Sequence, residues 1–260
     1  MTHNEKRIYL ISTLLKENPK YSDVKLPESE NEQKIMLRSL FNIRMPSKTS
    51  DEFIKIQNEY LSEAVSLKGI REIEKSDEIS DGIYLIKCDI TTLECDSIVN
   101  AANSRMLGCF CPCHGCIDNA IHTFAGIELR QKCAQIMNEQ GHDEPTGKAK
   151  ITPAYNLPSK YIIHTVGPVV SGRLTKDDCG LLASCYRSCL ELAEEYGLKS
   201  IAFCCISTGE FHFPNEKAAE IAVNTVNEFK NRTKSKIKVI FNVFKDKDLE
   251  IYERLLGKRN

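Results

Sequence analysis

Apolar positions in the first 75 residues recur at helical spacing. Leu10, Leu14 and Leu15 share one face, Ile35, Leu37, Leu40 and Phe41 mark a second helix, and Phe53, Ile54, Ile56, Tyr60, Leu61 and Val65 a third. The polar run Pro46-Ser-Lys-Thr-Ser-Asp51 reads as the turn and N-cap before the third helix. No strand pattern interrupts them, so a small helical lobe is expected, and its simplest role is to cover one side of the next domain. From residue 76 short apolar runs alternate with longer amphipathic ones. Segments 83–87, 97–99, 161–166, 200–206 and 236–243 read as strands, and 118–138, 180–196, 216–231 and 247–256 as helices. This alternation predicts an α/β domain with a mostly parallel central sheet covered by helices. Ligands of such sheets sit beyond the carboxyl ends of the strands, so the residues just after each strand are the first place to look for chemistry.

Composition narrows the function classes. The chain has 260 residues, 42% hydrophobic, with 35 Lys and Arg against 36 Asp and Glu for a net charge of −1. That suits one large or two modest globular domains and excludes the broad basic surface that drives nonspecific nucleic-acid binding. The apolar run 8–15 comes after Glu5-Lys6-Arg7, is short, and leads into no small-residue cleavage pattern. Nothing approaches the roughly 20 apolar residues that cross a bilayer, so a cytoplasmic monomer without membrane or nucleic-acid partners is expected.

Twelve cysteines are many, and in a reducing compartment a tight cluster of them reads as metal-binding or reactive rather than as a disulfide framework. Cys88, Cys204 and Cys205 lie in apolar strand-like segments, and Cys185 and Cys189 stand four apart in a helical pattern, so these are expected to be small core side chains. Cys109, Cys111, Cys113 and Cys116 differ. They fall in Gly108-Cys-Phe-Cys-Pro-Cys-His-Gly-Cys-Ile-Asp-Asn-Ala-Ile-His122, where four thiols and an imidazole occupy eight positions. Soft thiolates with imidazole favour zinc, and an unmetallated reactive cluster is the alternative. Asp118 and His122, four apart, share one helix face if a helix has begun there.

Three loops come directly after strands. Asp89, after the first strand, can accept a hydrogen bond from an exocyclic amine such as that of adenine, or it can simply cap a turn. Asn100-Ala-Ala-Asn103 offers two carboxamides suited to ribose hydroxyls, with turn-forming Asn the plain alternative. Ser207-Thr-Gly-Glu-Phe211 lies ahead of a helix with Pro214 near its start, where backbone N–H groups and the helix dipole would hold a diphosphate.

Taken together, Asp89-Ile-Thr, Asp96-Ser-Ile-Val-Asn-Ala-Ala-Asn103, Gly108-Cys109, His114-Gly-Cys-Ile-Asp-Asn-Ala-Ile-His122 and Ile206-Ser-Thr-Gly-Glu-Phe211 resemble the macrodomain family, over roughly residues 76–256. More narrowly they resemble the zinc-containing macrodomains of microbial protein-ADP-ribose hydrolases, which carry a helical N-terminal extension. The resemblance implies a three-layer α/β/α fold with a mixed, mostly parallel sheet over 76–260, preceded by the extension 1–75. It implies adenine contacts at Asp89 and Ile90 and a distal-ribose contact at Asn103. Zinc ligands would be Cys109, His114 and Cys116. Ile117, Asp118 and Asn119 would line the same end of the cleft, and Ser207, Thr208, Gly209, Glu210 and Phe211 would wrap the diphosphate. Asp118, with Asn103, matches the catalytic position of related hydrolases. The implied activity is zinc-assisted removal of ADP-ribose from acidic side chains of modified proteins. A reader module that only binds ADP-ribose, a deacylase of free O-acyl-ADP-ribose, and a metal or redox sensor are the alternatives. In two places the chain departs from the family. Cys88 stands where many relatives have Gly, and Cys111 and Cys113 interleave with the implied ligands, so either could close a four-ligand site.

Overall fold

Three capped helices form the lobe. They are α1 (His3–Glu17), α2 (Glu30–Ile43) and α3 (Asp51–Lys68), and Thr2, Ser29 and Ser50 each accept a backbone N–H of the first turn they precede. Their apolar stripes meet in one cluster, with Leu10, Leu14, Leu37, Phe41, Phe53 and Leu61 buried. Ile35, read as part of the α2 stripe, is instead 59% exposed. The cluster also takes in Ile127 from outside the lobe, so the lobe's core is completed by the neighbouring unit. The computed structural model describes residues 1–257, and no helix among them is long and apolar enough to cross a membrane.

The rest is a seven-stranded sheet in the order β1-β2-β7-β6-β3-β5-β4. The strands are β1 (Glu78–Ser80), β2 (Ile83–Lys87), β3 (Ser97–Ala102), β4 (Ala149–Pro153), β5 (Tyr161–Val166), β6 (Ser200–Phe203) and β7 (Lys238–Val243). The five central strands are parallel, and β1 and β4 close the edges antiparallel. The sequence pattern does not reveal those two edge strands, because each is short and buried on neither face completely. Helices α6 (Lys176–Glu195), α7 (Asn215–Thr233) and α8 (Asp246–Leu256) pack side by side as one outer layer. In the other outer layer α4 (Ile117–Ala125) and α5 (Ile127–Gln140) lie against the sheet, and the lobe packs against them. The fold is a three-layer α/β/α sandwich, as the resemblance implies. Cys185, Cys189 and Cys204 are buried in its core as expected, while Cys88 and Cys205 are half-buried.

The single helix expected over 118–138 is broken. Gly126, at φ 97° and ψ 175°, separates α4 from α5. A Cβ there would stand 2.8 Å from Gln57 Nε2 and 3.1 Å from Asn156 Nδ2. Both amides serve the break: Gln57 Oε1 accepts the Ile127 N–H at 2.9 Å, and Asn156 Nδ2 donates to Ala125 O at 2.9 Å. A side chain from the lobe thus starts α5. Gly126→Ala adds both backbone strain and a clash, so we expect it to lower stability by about 1–3 kcal/mol, read as a shifted urea midpoint at unchanged slope.

Candidate active site

Parallel pairing sends the carboxyl ends of β2, β7, β6, β3 and β5 to one edge, and the Asp89, Asn100–Asn103, Cys/His and Ser207–Phe211 segments all leave from that edge. From β2 to β3 is three strand steps, about 14 Å at the usual interstrand spacing. The Asp89 turn therefore stands at one end of this edge, the Ser207–Phe211 loop near its middle, and the Cys/His loop at the other end.

At the β2 end, Asp89 caps the turn Ile90–Thr92. Its Oδ1 accepts the Thr91 N–H at 3.0 Å and the Thr91 hydroxyl at 2.7 Å, and its Oδ2 accepts Lys68 Nζ at 2.9 Å. The capping role is thus present, and Oδ2 is shared with the last lysine of α3. Lys68 Nζ also lies over the Phe124 ring. Ile90, next to Asp89, is buried at 5% exposure.

In the middle, Ser207 takes φ 64° and is buried, while Gly209 and Glu210 are exposed and Thr208 and Phe211 half-buried. The Thr208, His212 and Phe213 N–H groups bond to Cys205 O, Gly209 O and Ser207 O, so the loop closes on itself. The Phe211 carbonyl accepts the Val170 N–H at 2.9 Å, tying in the segment after β5. Helix α7 starts only at Asn215, with Pro214 as cap. His212, Phe213 and Pro214 separate the loop from it, so the Ser207–Phe211 loop is a backbone turn standing off the helix and does not include the helix's own first N–H groups.

At the β3 end, α4 begins with Cys116 as N-cap, its Sγ accepting the Asn119 N–H at 3.4 Å. Asp118, in the first turn, is 5% exposed. Its Oδ1 accepts Asn100 Nδ2 at 2.8 Å, its Oδ2 lies 3.4 Å from Asn103 Nδ2, and His122 Nε2 stands 3.6 Å away. Burial pushes the Asp118 carboxyl up to about 6, against the opposing pull of Asn100 and Arg130. Burial likewise drives His122 well below the usual imidazole range, so it is neutral. Gly108, at φ 80°, gives His122 its room, because a Cβ there would lie 2.8 Å from the ring. Asn103 also donates to Gly108 O at 3.1 Å, which folds the loop back over the helix start.

Cys109, His114 and Cys116 converge, their ligand atoms all within 4.8 Å of one another. Cys109 Sγ and His114 Nδ1 stand 3.6 Å apart. Zinc held tetrahedrally at about 2.3 Å from sulfur and about 2.0–2.1 Å from nitrogen separates two such ligands by about 3.6 Å, so the donor set and spacing fit that ion. Burial, with Cys109 adjacent, pushes the Cys116 thiol up to about 12, and a cation at the site is what would favour its thiolate. Cys111 is exposed, and Cys113 turns away, its Sγ 3.2 Å from Ser39 Oγ and 3.5 Å from Ile35 O on α2. The fold gathers two of the loop's thiols with its imidazole and leaves the other two thiols outside the cluster. Glu210 Oε1 reaches to 3.5 Å of His114 Nε2, joining the middle loop to this end.

Two carboxamides behave differently from the sequence reading. Asn100 has no exposed surface; its Nδ2 serves Asp118 and lies 3.1 Å from Nδ1 of His164, its partner in the β3–β5 register. It supports the acid from below rather than offering itself to a ribose. Asn119, also fully buried, takes Arg38 on its oxygen and gives its amine to Cys111 O at 3.0 Å, while Ile117 is half-buried at the helix start. The supporting residues His164, Arg130 and Arg38 carry no local motif signal, since each acts across a long stretch of chain. Asn100→Ala removes a buried donor from Asp118 and His164 at once, and we expect a loss of about 1–3 kcal/mol in urea unfolding. A variant as stable as the parent would show that Asp118 does not depend on this bond.

Comparison with known proteins bears on the fold and the family. The Macro domain family matches residues 99–222. A protein-ADP-ribose hydrolase of Treponema medium is 58% identical over 261 residues, covering 99% of this chain and all of that protein. A protein-ADP-ribose hydrolase of Staphylococcus aureus strain MSSA476 is 46% identical, over 96% of this chain and 94% of its own. Among solved structures, the Trypanosoma brucei macrodomain in complex with ADP-ribose is 32% identical with a TM-score of 0.64, over 89% of this chain and 97% of that one. With relatives 46–58% identical over nearly the whole chain and a matching sheet architecture, the chain belongs to the macrodomain family.

Proposed function

We propose that this protein is a hydrolase that releases ADP-ribose from acidic side chains of modified proteins, with zinc held by Cys109, His114 and Cys116 in a reducing, cytoplasmic setting. One observation carries the reading: the three-ligand cluster and the buried Asp118 adjoin at the end of the cleft where the distal ribose would lie. The relatives named protein-ADP-ribose hydrolase, and the Trypanosoma brucei complex with ADP-ribose, support the ligand and the reaction class. In this reading Asp89 and Ile90 bind adenine, the backbone turn Ser207–Phe211 holds the diphosphate, and the helical lobe 1–75 braces the hydrolytic domain 76–260.

Bound there, zinc would supply a Lewis acid beside the distal ribose. The remaining work falls to the chain. Asn103, anchored on Gly108 O, orients the ribose, and Asn100 fixes the Asp118 carboxylate toward the cleft. A water oxygen bonds to the ribose carbon as the carbon–oxygen bond to the target carboxylate breaks; the carboxylate leaves with the electron pair, and Asp118 accepts the water's proton. A carboxylate is a good leaving group, so positioning and one proton acceptor suffice.

ADP-ribose should raise the thermal midpoint, since a ligand bound only to the native state adds about 2.7 kcal/mol at a hundredfold excess over Kd. AMP should do less. Asp118→Asn should keep this shift while lowering turnover of an acid-linked substrate by about 10²–10⁴-fold. Bound ADP-ribose with the modified protein left intact by the parent chain would make it a reader and sink the hydrolase reading. Metal analysis of Cys111→Ser and Cys113→Ser should find stoichiometric zinc and turnover in both, and His114→Ala should lose both. Zinc lost from either serine variant would mean a closed four-ligand site, with metal acting as scaffold.

A further inference from the structure

The loop carrying the three metal-type ligands is gripped from its outer side by the helical lobe. On α2, Arg38 donates Nε and Nη2 to Asn119 Oδ1, at 3.1 and 2.7 Å, and Nη2 also to the His114 carbonyl at 2.9 Å. One turn on, Asn42 Oδ1 accepts the Cys113 N–H at 2.9 Å while its Nδ2 donates to Thr123 Oγ1 at 2.9 Å. Between them Ser39 meets the Cys113 sulfur. Asn119 passes the grip on, its Nδ2 holding Cys111 O at 3.0 Å. At the loop's far side Phe110 sits 4.4 Å from the Arg130 guanidinium, which itself bonds the carbonyls of Phe41, Asn42 and Arg44 at the end of α2. Residues 110, 111, 113 and 114 are therefore tied to the lobe directly or through one side chain, while the sulfurs of Cys109 and Cys116 and the ring of His114 turn toward one another.

We infer that α2 is the outer half of the metal site: Arg38 is a positioning residue that holds the His114 main chain and Asn119 so that Cys109, His114 and Cys116 converge before any metal arrives. The inference rests on the zinc reading above. The forked guanidinium suits the task, because two acceptors on different residues must be held at fixed angles, which a lysine ammonium does not do. The same helix explains why Cys113, one residue from a ligand, is excluded from the cluster: Ser39 and Asn42 keep it.

The test is zinc affinity of the full chain, measured by competition with a chromogenic chelator, with the visible spectrum of the cobalt-substituted protein as second readout. Arg38→Ala is expected to bind zinc 10–100-fold more weakly, the usual effect of removing an outer-shell partner, and to show an altered cobalt spectrum. Arg38→Lys should recover little of either. Phe53→Leu, which loosens the lobe core without touching the loop, should leave the affinity within about twofold of the parent. If Arg38→Ala does not fold, Arg38→Lys alone carries the comparison. A parent chain that binds zinc no more tightly than its Arg38 variants overturns this inference and leaves the zinc reading standing. A parent chain that binds no zinc overturns both.

Discussion

Asp118 is a carboxylate taken almost wholly out of water, and a buried charge is costly unless neighbouring dipoles and charges answer it. The neighbours that answer it come from three places: Asn100 on β3, Asn103 just beyond it and Arg130 on α5. Each of these is itself constrained. Asn100 is fixed by its register against His164, whose Nε2 is engaged by Thr152 at 2.9 Å. Arg130 commits Nη1 to three carbonyls at the end of α2, so the charge that steadies Asp118 also fastens the lobe. The acid, the sheet and the lobe are in that sense one structure.

The chain as a whole carries a net charge of only −1. Cationic resources at the strand-end loops are local. Lys68 from the lobe stands at the Asp89 end, and the middle loop offers backbone rather than lysine or arginine side chains. In the proposed reading, oriented N–H dipoles would hold the anionic part of the ligand and leave specificity to the two ends. The β3 end is the chemically distinctive one, because there a soft-ligand cluster, a buried acid and a carboxamide meet within one loop and one helix turn.

The lobe contributes more than cover. Gln57 starts α5, Asn42 and Arg38 shape the cysteine loop, and Lys68 engages Asp89, so it touches both ends of the cleft. Its own core in turn needs Ile127. Short paths of hydrogen bonds therefore join the lobe to both ends of the strand-end loops.

Much of this was legible in the chain. Periods of 3.6 and 2 reflect which faces are buried, a local property, so the three lobe helices, the five parallel strands and the loops at their ends could be read directly. The cluster of four cysteines and one histidine over 109–116 stood out in the same local way, whereas the choice of Cys109, His114 and Cys116 among them came from the family resemblance. What the tertiary structure decided is direction and partnership. Asn100 and Asn103 look alike in sequence, but strand pleat and the His164 register send one under the acid and leave the other at the rim. Cys113 is as good a candidate metal ligand as its neighbours until α2, more than 70 positions earlier, takes its sulfur and its N–H. The break at Gly126 depends on Gln57 and Asn156, neither nearby in the chain. Local pattern records how a segment meets water; which of several equivalent groups faces a site depends on contacts between segments, and those exist only once the chain has folded.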